Sequence, residues 1–408
     1  MSSDPPSSPC RGRGSAALRP NQLASPGPNV NISDAAEVAA ALATYKRQLA
    51  SLSKKLDEAT QATPPAKRPI THKTMGRGIR KIVTLFDNLS CMLNEADRRT
   101  FEGPAAKDPT QQHRLDRIYR AYPLFIQLVP HFRTLAMVQG PEGVDAVNTF
   151  LTKLQEGANN ARSDDVRRIK EEVADCINAR YRPATLLQKT NRDNRGLQHD
   201  VCGGLLTPLM YDWNDLDVRA KIRGSKPGYI ISSNYYLTCL YAKDTIFNPR
   251  RIEVGFLRSD LLLTMYHITF TSPSSAESLK QAIEHEQSAQ GEPPFKKVKT
   301  SPKATKSCVS SLLNMDGKVT PRSIAYVAVL LVFNLTEAST WTESHNNFSF
   351  VAFYNFIIDY FEEERDAAST RRAGELLEWW NQQIFPEHVS AVTDSDESRN
   401  MLLDQDDY

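Results

Sequence analysis

The chain has 408 residues, 50 basic against 48 acidic, with 40% hydrophobic, which suffices for one large domain or two ordinary ones. A net charge of +2 excludes a protein that coats nucleic acid over its whole surface, and 24 prolines against 18 glycines point to a packed core diluted by unstructured segments. Six cysteines without a C-x-x-C pair exclude a disulfide-stapled secreted scaffold, so a reducing compartment is expected.

Residues 1–32 are rich in Pro, Ser and Gly and read as a disordered basic arm, with no apolar segment of a secretory leader. Arg11 and Arg13 flank a glycine there, and such a flexible arm can enter a narrow minor groove. Residues 1–80 hold twelve Lys and Arg against five acids, which supports weak, salt-sensitive DNA binding. Residues 33–60 change character. Val38, Leu42, Tyr45, Leu49, Leu52 and Leu56 alternate spacings of four and three, the heptad pattern of a short amphipathic helix that can pair two chains. Pro64 and Pro65 open a linker over 61–75.

A helical body is expected over 76–386. Ile79, Ile82, Val83, Phe86, Leu89 and Leu93 predict one continuous helical face. The next helix meets Pro123 and Pro130, which kink or split it. Helices follow over Val144 to Leu154 and over 161–181, the second with Ser163 as its cap. From 195 to 254 the periodicity fades, and a long ordered loop or a small hairpin near "YIISSNYYLTCLY" is expected. Helical patterning returns at "GFLRSDLLLTMYHITF" and over Glu277 to Gln287. Thr320 and Pro321 mark a helix start for "RSIAYVAVLLVFNL", which is apolar nearly all round and so belongs at the centre of the core. That run is too short to span a bilayer, and no membrane partner is expected. Trp379 and Trp380 are adjacent, so one enters the core while the other covers a surface. The tail, 387–408, carries seven acids against one arginine and reads as disordered. The fold class is therefore mostly α: one irregular multi-helix domain with disordered termini.

Residues 289–319 read as a disordered lysine-rich insert, and Lys296, Lys297 and Lys299 form the K-K-x-K core of a nuclear import signal held extended by prolines. An import carrier with acidic grooves is the partner this implies, and the nucleus the location; without import, the cytoplasm. Chemistry is thinner. His199, Cys202, Cys239 and His267 are the available zinc-ligand types, but no second close pair accompanies the first. Asp212, Asp215 and Asp217 would suit a magnesium-dependent enzyme if they converged, whereas the plainer reading makes Asp212, Asn214 or Asp215 the cap of a helix over Val218 to Ile222. Arg258, Asp260 and His267 lie on or near one helix, where Arg258 can also bond outward to the "TSPSSA" turn. No catalytic or metal-ligating residue is assigned, and no cofactor is expected.

Taken in order, "YDWNDLDVRAKIR", "GFLRSDLLLTMYHITFTSPSSA", "RSIAYVAVLLVFNL" and "LLEWWNQQIFP" carry a resemblance. Over roughly residues 75–386 the chain resembles a large family of proteins with a domain of unknown function, expanded in mushroom-forming fungi. The resemblance implies a shared, mostly helical domain and brings no activity, cofactor or catalytic residue. The reading that follows is a non-enzymatic nuclear protein that associates through its helices. The alternatives are a chromatin-associated protein using Arg11 and Arg13, or a metal-dependent enzyme on the carboxylate cluster.

Overall fold

The computed structural model describes residues 71–271 and 309–386, apart from 314 and 364. The basic arm with Arg11 and Arg13, the heptad positions Val38, Leu42, Tyr45, Leu49, Leu52 and Leu56, the helix at Glu277 to Gln287, the import lysines Lys296, Lys297 and Lys299, and the acidic tail all lie outside the described residues.

Twelve α-helices and one two-stranded sheet make up the regular structure of the described residues. The first helix, α1 (His72–Gly78), runs into a π turn at Ile79–Val83, and is followed by α2 (Leu89–Glu102), α3 (Gln112–Leu128), α4 (Phe132–Ala136) and α5 (Pro141–Tyr181). The continuous helix expected through Leu93 is broken. Thr84 is extended, its hydroxyl exchanges hydrogen bonds with the Asp87 carboxylate and N–H, and the Arg80 guanidinium donates to the Leu85 and Asp87 carbonyls. These side-chain bonds outbid the helical ladder at 84–88, and Leu85 rather than Phe86 enters the core. Pro123 sits inside α3, which ends before Pro130.

The two helices expected at 144–154 and 161–181 are one, the 41-residue α5. Ser163 does not cap; it lies mid-helix and donates back to the Asn159 carbonyl. The weak helix formers around Gly157 are retained because α1 crosses there. A Cβ on Gly157 would meet the Lys73 carbonyl oxygen at 2.6 Å, and one on Gly76 would meet the Leu154 carbonyl oxygen at 2.2 Å. Backbone approach at this distance is open only to glycine.

Next come α6 (Asp200–Leu206) and α7 (Leu216–Arg223), then an irregular stretch tied by the bridges Pro208–Leu237 and Tyr241–Phe256. The ordered-loop alternative holds here. The hairpin lies elsewhere, with β1 (Ser344–His345) and β2 (Phe348–Ser349) paired across Asn346, whose φ of 52° suits the left-handed region that Asn tolerates. Between them stand α8 (Asp260–Phe270), α9 (Val309–Leu312) and α10 (Pro321–Leu335); α11 (Phe350–Glu362) and α12 (Ala367–Ile384) close the body. Residues 309–319, read from sequence as part of the insert, belong to this body: Leu313, Met315 and Val319 are buried, and the Val319 N–H donates to the Asn381 side chain at 2.7 Å. Helix also begins inside the expected linker, at His72.

The central element is α10. Thr320 and Ser323 form a reciprocal capping box, and every residue from Arg322 to Leu335 is buried, against α5, α6, α8, α11 and the π turn. Arg322, only 2% exposed, grips Glu362 through two bonds of 2.8 and 2.9 Å and also donates to the Val83 and Arg117 carbonyls. No helix of the described residues is long and apolar enough to cross a membrane.

Gly76→Ala should lower stability by about 1–3 kcal/mol, because the helix crossing must open against a backbone oxygen. Chemical denaturation measures it; an unchanged midpoint would show that α1 and α5 do not cross at these glycines.

Candidate functional site

The sequence-named chemical residues are committed to the fold. Asp215 caps α7 by accepting from the Asp217 and Val218 N–H groups, Asp212 accepts from Asn214, and Asp217 pairs with Lys221 at 2.5 Å. The capping reading therefore holds, and the three carboxylates do not converge. His199 caps α6, its Nδ1 accepting from the Cys202 N–H at 3.1 Å while Nε2 donates to the Thr185 carbonyl. Burial pushes the Cys202 thiol up to about 12 and raises that of Cys239 as well, so neither is poised as a thiolate. Among the described residues, no group of three or more His, Cys, Asp or Glu is placed to hold a metal ion. Trp380 is fully buried with its indole N–H on the Leu257 carbonyl, whereas Trp379 lies half-buried under the Arg258 guanidinium.

A different cluster stands out by its charge. Ser163, Val166, Arg167 and Lys170 recur at the spacing of one face of α5 and form one wall of an open pocket of about 370 Å³. Thr190 to Asp193 and the segment with Ser339 and Trp341 form the others. Arg192 is 6% exposed and donates to the Ala338 carbonyl at 2.7 Å and the Asn334 side chain at 2.8 Å. Its guanidinium lies 4.4 Å from the Phe333 ring centroid, and its Nε has no partner. Arg195 is buried behind it and donates to the carbonyls of Asn334, Lys170 and Gln188.

Burial, then the neighbouring Arg195, pushes the Arg192 guanidinium down to about 10. Burial, then Arg192 and Arg195, also lowers the Lys170 ammonium, with Glu171 opposing. Lys170 donates to the Thr190 carbonyl at 2.7 Å. Arg162 stacks 5.2 Å from the Trp341 ring with an unpartnered Nε. Sequence reading missed this cluster. "QKTNRDNRG" looks like any charged loop, and the lack of counter-charges is visible only once α5, the loop and the end of α10 meet.

A second cleft, largely apolar, opens among Leu206, Ile222, Ile231, Leu237 and Phe348, with the Glu337–His345 contact of 3.0 Å on its rim. Residues 156–385 match the family of unknown function DUF6698, and that span covers more than half of the chain. The chain belongs to this family. Every wall of both clefts lies within the matched span, whereas α1 to α4 precede it. Neither the curated proteins nor the solved structures include a match to this chain.

Among the described residues the His267 ring bonds the Thr271 hydroxyl, and burial pushes its pKa down to about 4. The folded protein therefore refuses a proton that the unfolded chain takes up below about 6.5, so stability falls as pH drops from 6.5 towards 4. Between pH 7 and 5 this should remove about 2 kcal/mol. Denaturation of the wild type beside His267→Gln checks it: the variant should lose less over that interval, and equal losses would contradict a neutral buried imidazole.

Proposed function

We propose that this member of the family is a non-enzymatic nuclear protein that works by association. The observation that carries the reading is the use made of the reactive side chains. His199, Cys202, Asp212, Asp215 and Asp217 are held by capping, burial or local pairing, while the open clefts are lined by groups suited to binding. Lys296, Lys297 and Lys299 support nuclear delivery: a compact basic run between prolines suits the acidic groove of an import carrier. The heptad positions from Val38 to Leu56 support pairing of two chains.

A fluorescent fusion tests the address. The wild type should concentrate in the nucleus and Lys296→Ala/Lys297→Ala/Lys299→Ala should spread into the cytoplasm; the same distribution for both would remove the import reading. Light scattering tests the pairing. The wild type should exceed the 45.8 kDa of one chain, and Leu42→Asp/Leu49→Asp should return to it. A monomeric wild type would reject pairing through the heptads.

A further inference from the structure

Elsewhere in the described residues two buried cations meet carboxylates, whereas Arg80 donates to the Leu85 and Asp87 carbonyls and the Asn159 side chain. The two carboxylate pairs are Lys81 with Asp165 and Arg322 with Glu362. Around the α5 pocket two cations without a carboxylate lie side by side. Arg192 and Arg195 are among the most deeply buried charges, and their partners are carbonyls and one side-chain amide. A charge removed from water without a counter-ion is costly, and backbone carbonyls offset only part of the cost. The C-terminal end of α10 supplies some of it, since Arg195 donates to the Asn334 carbonyl in the last turn and a helix C-terminus carries about half a negative charge. That fraction cannot balance the buried Arg192 and Arg195 and the part-buried Lys170 and Arg162 together. The acids in reach are few: Asp193, exposed at the rim, Glu171 beside Lys170, and Glu343, whose charge reaches Arg162.

We infer that this pocket binds the phosphate group of a small phosphorylated molecule. A phosphate brings close to two negative charges and several acceptor oxygens, which match a guanidinium fork, a lysine point charge and adjacent hydroxyls better than a single carboxylate does. Ser163, Thr190 and Ser339 bring such hydroxyls to the wall, and Arg192, Arg167 and Lys170 line it with positive charge. The volume of about 370 Å³ holds a phosphate with a modest organic body. A nucleic-acid strand would need an open basic track. Here the deepest cations are enclosed, and Asp193 sits at the mouth. The ligand does not depend on where in the cell the protein works.

The test is calorimetric titration of the full chain with inorganic phosphate and with pyrophosphate, against citrate and a short DNA duplex as controls. Either phosphate probe should bind saturably at one site per chain and raise the melting temperature. Arg167→Gln/Lys170→Gln should weaken binding at least tenfold while keeping the wild-type circular dichroism. Arg167→Gln alone, at an exposed position, should weaken it severalfold and guards against loss of folding in the double variant. No saturable phosphate binding by the wild type, equal binding by the variants, or preference for citrate or for the duplex would overturn the assignment.

Discussion

A helix that is apolar on every side needs neighbours on every side and a fixed first turn. In this fold the fixing is done by the ion pair between Arg322 and Glu362. Arg322 stands at the N-terminal end of α10 and Glu362 at the C-terminal end of α11, so each charge faces the unfavourable end of its own helix dipole. Set against each other with two bonds, they cancel that penalty. The remaining donors of the same guanidinium reach the end of the π turn and the middle of α3. One buried side chain therefore ties four chain segments around the start of the central helix.

The same face of α11 continues the pairing outward. His113, Arg117 and Arg120 recur at helical spacing on α3 and meet Glu363, just past the end of α11, and Asp359 and Glu362 within it, with Arg117 2.5 Å from Asp359. The contrast with the far end of α10 has functional meaning. At the N-terminal end Arg322 has its carboxylate; at the C-terminal end Arg192 and Arg195 have only carbonyls and an amide. Folding alone explains the first arrangement. The second sets a pair of such cations beside an open pocket lined by Arg167 and Lys170, which suits a binding site.

Much of the scaffold could be read before any coordinates. The Thr320–Pro321 start and the all-round apolar character of α10 are local features, as is a helix cap at Asp212, Asn214 or Asp215, which the fold assigns to Asp215. The unequal Trp379 and Trp380 follow from helical geometry alone. What escaped reading depends on partners distant in sequence. The break at 84–88 needs Arg80 to reach two carbonyls, and the unbroken α5 needs α1 to lie across Gly157 despite its low helix propensity. The charged pocket is the extreme case. Its residues come from 163–170, 190–193 and 339–341, and no one of these stretches is unusual by itself.

The organising role of the Arg322–Glu362 pair is tested most directly by a double-mutant cycle with Arg322→Met and Glu362→Gln, read by chemical denaturation. Each single change should cost about 3–5 kcal/mol because it leaves the other charge buried alone. The double variant should lose much less than the sum, giving a coupling of about 2 kcal/mol or more. Small single losses that simply add would show that the fold does not depend on this pair.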